Sequence, residues 1–113
     1  MVKMLKGPVL AWHFLTTERA PAHGYYRKPM EEGQVVRYRG RRRIRLCHQG
    51  LHASRRIVDA LRYAPGPVLC RVILSGLGEK AVDKLVASRR RIVAMADVSE
   101  TMTKLAQRIR ERE

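Results

Sequence analysis

A chain of 113 residues holds one domain with a single modest core, here 1–113, and its 45% hydrophobic content is ordinary for a globular protein. Two cysteines are too few for a disulfide framework, no apolar run approaches the length of a membrane span, and there is no signal peptide, so a reducing cytoplasm is expected, with the cysteines as free core residues. The charge is not ordinary: 24 Lys and Arg against 10 Asp and Glu give a formal +14, a self-repelling surface that calls for an anionic partner, nucleic acid first and an anionic membrane or an acidic protein next. The bland alternative is a merely basic surface on an arginine-rich chain.

After a ragged start over residues 1–6, residues 8–16 (PVLAWHFLT) read as a strand, with Val9, Ala11, His13 and Leu15 on one face and Leu10, Trp12, Phe14 and Thr16 on the other, oilier one. His13, inside this apolar run, is either a satisfied core or edge histidine or a ligand-contacting imidazole. Residues 17–32, with Pro21, Gly24 and Pro29, form a long loop, where function is often placed. Tyr25 and Tyr26 beside Arg27 and Lys28 can stack on bases or cover the edge of the core.

The next stretch dominates the reading. Arginines stand at 37, 39, 41, 43 and 45, every second residue, and Gly40 interrupts the run, which predicts a hairpin over 34–46. A three-residue loop (Gly40, Arg41, Arg42) pairs Arg39 with Arg43, Arg37 with Arg45, Tyr38 with Ile44 and Val36 with Leu46. One face is then all arginine and the other all apolar, whereas a two-residue loop mixes the two, so the first register is expected. Arginines facing each other across a ladder repel, and an anion on that face would relieve them. The predicted nucleic-acid-binding set is Arg37, Arg39, Arg41, Arg42, Arg43 and Arg45, flanked by Lys28, Arg55 and Arg56.

Ser54 reads as the N-cap of a helix running to about Tyr63, with Ile57, Val58, Leu61 and Ala64 on its buried face, stopped by Pro65-Gly66-Pro67. Residues 68–74 (VLCRVIL) read as a central strand, in which Arg71 needs a partner or a path to solvent. A turn follows at 75–78. Residues 79–89 fit a short helix or a loop. Residues 90–97 read as a strand, and Ser99 caps a last helix to about Arg112 with the stripe Val98, Met102, Leu105, Ile109 and a basic ridge Lys104, Arg108, Arg112. Strands and helices out of strict alternation give an α+β fold with a small mixed or antiparallel sheet, a β-hairpin, one central helix and a C-terminal helix.

Cys47, His48 and His52, with His23 upstream, lack the paired spacing of a zinc site, and a Cys-His nucleophile pair would need Cys47 beside His52 or His13. No phosphate-binding glycine loop, serine elbow or carboxylate cluster is present, so no cofactor, metal or catalytic residue is assigned. His13, His48, His52 and Tyr63 are the candidate lining of a pocket.

The segments CHQGLHAS at 47–54, DALRYAPGPVLCRV at 59–72 and DKLVAS at 83–88, followed by a strand ending Met95-Ala96-Asp97, resemble a family of short phage- and prophage-encoded proteins of unknown function. That resemblance covers residues 8–103 and implies a mobile-element origin and a role against the host. A looser likeness joins the histidine-bearing first strand, the GLHAS strand and the helix ending Tyr63-Ala64 to the ADP-ribosyltransferase core. It implies that His13 touches a cofactor ribose and that residues 50–54 line a nicotinamide pocket. The strand at 90–97 lacks the late-strand glutamate of that family, which implies a version reused for binding.

Overall fold

A computed structural model describes residues 7–22, 26–40, 43–46 and 50–112. The fold is α+β: a five-stranded antiparallel sheet with a short helix and a C-terminal helix. The strands are β1 (Val9–Leu15), β2 (Val35–Arg37), β3 (Leu51–Ala53), β4 (Val68–Lys80) and β5 (Leu85–Asp97); the helices are α1 (Ile57–Leu61) and α2 (Ser99–Glu111).

The long β4–β5 hairpin is the spine. β1 pairs with the first half of β4, placing Val9 opposite Leu74 and Leu15 opposite Val68. The far edge of β5 carries two short strands end to end, β3 on Leu85–Ala87 and β2 on Arg89–Arg91. The sheet then curls until Ser54, just past β3, meets Trp12 of β1 in a single antiparallel bridge. Neighbour by neighbour the path runs β1, β4, β5, β3 and back to β1. The core fills this ring: Ala11, Leu15, Met30, Cys70, Val72, Leu74, Ala87 and Ile92 are wholly buried. Burial alternates along β4, as a strand with one face inward requires.

Several expectations are corrected. The hairpin of the fold is β4–β5, not 34–46. β2 stops at Arg37 and pairs with β5, while Ile44 lies against Gly78 and the Leu46 amide donates to the Glu79 carboxylate, at the far end of β4. The long antiparallel partner offered by β5 buries Val36 against the core, and a self-paired 34–46 ribbon has no equal to it. Residues 75–78 continue β4 instead of turning, and 79–89 resolve into a turn at 81–84 and the start of β5. Val9, Ala11 and Leu15 of β1 join the core cluster; of the oilier set Phe14 is buried outside that cluster, and Leu10 is half exposed. Ser54 does not cap α1, because its backbone is spent on the bridge to Trp12; Arg56 holds the N-cap position and makes no side-chain cap. α1 buries Asp59 and Ala60 and leaves Ile57, Val58 and Leu61 exposed. At α2 the N-cap is Val98, the Ser99 hydroxyl donates to Asp97, and the Met102, Leu105, Ile109 stripe is exposed. No helix among the described residues is long and apolar enough to cross a membrane.

Gly50 enters β3 at φ +115°, and a Cβ there would stand 2.6 Å from Val86 Cγ2 and 3.1 Å from the Ala87 carbonyl oxygen. Gly50→Ala is therefore expected to cost about 1–3 kcal/mol, through backbone strain and crowding together, measured by urea unfolding.

Candidate functional site

Trp12 and Ser54 exchange both backbone hydrogen bonds, at 2.6 and 2.9 Å, and the ladder between β1 and β3 goes no further. Beyond the bridge the two strands part. A cleft of about 510 Å³ opens there, with His13 and Phe14 from β1 on one side and His52 and Ala53 from β3 on the other. The residues just after α1 supply Arg62, Tyr63 and Ala64, the loop after β1 supplies Pro21 and Ala22, and the β4–β5 turn supplies Lys84. Thus His13, His52 and Tyr63, predicted to line a pocket, converge on one; His48 lies outside the described residues, as do Arg41, Arg42, Cys47, His23 and Tyr25.

The rim is pre-set by Tyr63. Its hydroxyl donates to the Asp83 carboxylate, which holds that carboxyl below the ordinary aspartate range, and Lys84 Nζ sits 4.6 Å from the centre of the Tyr63 ring. A cation over an aromatic face is attracted by the ring quadrupole. Among the described residues no carboxylate lines the cleft, while Arg62 and Lys84 do.

Behind the cleft lies a feature that the sequence reading did not name. Arg90, from the middle of β5, points inward and is 3% exposed. Its Nη1 donates to the His52 carbonyl oxygen at 2.9 Å, its Nε has no hydrogen-bond partner, and no described carboxylate pairs with it. Every Asp and Glu of the chain but Glu113 is among the described residues. Burial pushes this guanidinium down to about 10, so it is still a cation at neutral pH.

His13 stands across from Cys70 on β4 and shares its interior with Arg90 and His52. Its Nε2 is buried without a hydrogen-bond partner. Burial first, then the positive charge of Arg90, then His52, holds it well below the ordinary imidazole range, so the ring is neutral at pH 7. A neutral imidazole has one donor and one acceptor nitrogen, suited to a hydrogen bond with a sugar hydroxyl or phosphate oxygen. Burial raises the Cys70 thiol to about 11, which removes it as a nucleophile at neutral pH.

The predicted phosphate-binding residues that are described come from several elements. Arg37 is exposed on β2, Arg43 and Arg45 are exposed on the segment running past Gly78, and Lys28 is exposed on the loop between β1 and β2. Arg55 and Arg56 border a separate hollow with Asp59 and the 80–85 turn. Arg39 is exposed beyond the end of β2. The residues standing beside Arg37 are Arg89 and Arg91 of β5, the first from the end of the segment read as a short helix or a loop and the second from the predicted strand 90–97. Arg71 finds its partner in Trp12, with its guanidinium carbon 4.3 Å from the ring centre. Tyr26 packs on the core and its hydroxyl accepts from Gln34, so it covers the core edge.

No family model matches the chain, and neither a curated protein nor a solved structure matches it.

Proposed function

We propose that the chain is a binding protein for an anionic ligand of the nucleotide type, and that the cleft between β1 and β3 is where it sits. The observation that carries this reading is the make-up of the walls: aromatic rings (Phe14, Tyr63), two imidazoles (His13, His52) and two cations (Arg62, Lys84), with no carboxylate among the described lining residues. Rings offer a stacking surface to a base, the cations attract phosphate, and Arg90 adds positive potential from behind. The size suits a ligand of a few hundred daltons, since small-molecule sites run from about 300 to about 1,000 Å³. The looser likeness to the ADP-ribosyltransferase core agrees with this place for a nucleotide. β5 holds no glutamate, so the reading is of capture, with no step of group transfer assigned.

Titration with AMP, NAD and adenosine, followed by thermal shift and calorimetry, tests it. A phosphate-bearing nucleotide is expected to raise the unfolding free energy by about 2–3 kcal/mol at a hundredfold excess over its Kd, and adenosine to bind at least about tenfold more weakly. Arg62→Ala together with Lys84→Ala, both changes at the rim, is expected to weaken the phosphate-bearing ligand by about tenfold and adenosine hardly at all. No stabilisation by any of the three at millimolar concentration would remove the reading.

A further inference from the structure

We infer that the outer face of the sheet, where β2 lies on β5, is a binding surface for single-stranded nucleic acid. Three arginines carry it. In the β2–β5 register Arg37 faces Arg89 directly, and Val35 faces Arg91. Arg89 and Arg91 are exposed while Arg90 between them is buried, so the alternation of the strand puts Arg37, Arg89 and Arg91 on one side. None of the three has a carboxylate within ion-pair distance among the described residues. Like charges directly opposite across a ladder destabilise it, and a phosphate chain laid over them reverses the sign of that term.

The face continues away from the arginines in apolar and aromatic character. The β4 register places Ile73 opposite Arg91 and Ser75 opposite Arg89, and β1 then places Leu10 opposite Ile73 and Trp12 opposite Arg71. Leu10 is half exposed, and Arg71 is stacked on Trp12. A cationic row bordered by an exposed apolar strip and an arginine–tryptophan stack fits a chain whose phosphates and base faces are both accessible. A duplex presents phosphates and hides the faces of its bases. The net charge of +14 favours the encounter and does not select the surface; the register does. The arginine row itself contributes no residue to the cleft at the β1–β3 parting.

The test is fluorescence anisotropy of the whole chain with labelled DNA and RNA strands about twelve nucleotides long, at about 50 and about 200 mM salt. Arg89→Glu with Arg91→Glu is expected to weaken binding at the lower salt by at least about tenfold and to flatten the salt dependence, since two phosphate contacts are lost. The control Arg108→Glu with Arg110→Glu on α2 makes the same change in net charge and is expected to stay within about threefold of the parent, since α2 carries none of the three arginines. Both pairs are exposed, and Arg89→Glu places a carboxylate across from Arg37, so the variant is expected to melt no lower than the parent; far-ultraviolet circular dichroism unchanged from the parent reports that the fold is intact. Equal weakening by the α2 control overturns the surface, leaving a generic charge effect. Tighter binding to a duplex of the same length overturns the single-strand assignment. No binding to either, with arginine-dependent binding of polyglutamate instead, overturns nucleic acid as the partner.

Discussion

Arg90→Met raises stability, by about 1–3 kcal/mol, or several degrees in Tm for a chain of this size. The expectation comes from the place of the side chain. It is 3% exposed, has no described carboxylate partner, and makes one hydrogen bond to the His52 carbonyl while its Nε is unpaired. Burial lowers its pKa to about 10, and the free-energy penalty on the charged form behind that shift is on the order of 3 kcal/mol. The folded value lies below the unfolded one, so the penalty is fully present at every pH below about 10 and is relieved only above it. Methionine fills a similar volume, needs no solvation and removes the penalty; the lost hydrogen bond returns about 1 kcal/mol of it. The same change is expected to weaken the phosphate-bearing ligand of the cleft by about fivefold to tenfold, because the positive potential behind His13 and His52 goes with it. Urea unfolding and calorimetry on one variant read both. A variant less stable than the parent would make Arg90 a structural strut and not a residue retained at a cost for binding.

Acid weakens the fold through His13. The ring is neutral when folded and takes up its proton at about pH 6.5 when unfolded. The unfolded chain therefore binds more protons below that pH, and stability falls as pH drops, by up to about 1.4 kcal/mol per pH unit from this one group, until the lowered pKa of the folded ring is reached. Above about pH 7 the contribution is fully present. The groups that face the ring set the direction: Cys70 from β4, His52 from β3 and Arg90 from β5 surround it, and no carboxylate acts on it to hold a proton there. Unfolding curves at about pH 7.5, 6.5 and 5.5 are expected to show this loss in the parent and a much flatter profile in His13→Leu, which has nothing to protonate at that position. A parent profile that is flat over the interval would mean that the imidazole is reached by water.

What was legible in the sequence follows the strength of the local pattern. β1, the first half of β4, the second half of β5 and α2 are legible because apolar runs or helical spacing mark them; His13 stands out as an imidazole in an apolar strand, whereas His52 and Tyr63 were singled out through the likeness to the ADP-ribosyltransferase core. The hairpin at 34–46 failed for a non-local reason. Alternation in RYRGRRRIR shows which side chains share a face, but not which strand will lie beside it, and β5 competes for β2 and wins. Arg90 was readable in principle: three arginines in a row within a strand must send at least one to each side, and Ile92 marks the inner one. α1 was misjudged because Ser54, a good cap by identity, is held in the β1–β3 bridge, a contact between residues far apart in the chain.

That bridge has a mechanical consequence. β4 and β5 are stitched along most of their lengths, and β1 along all of its own, whereas the β1–β3 seam is shut by the Trp12–Ser54 pair alone. Unzipping it forfeits two backbone hydrogen bonds, about 1–3 kcal/mol, far less than parting β1 from β4 or β4 from β5. The cylinder is therefore a clasp with one weak tooth, and its thinnest seam is the one beside the cleft.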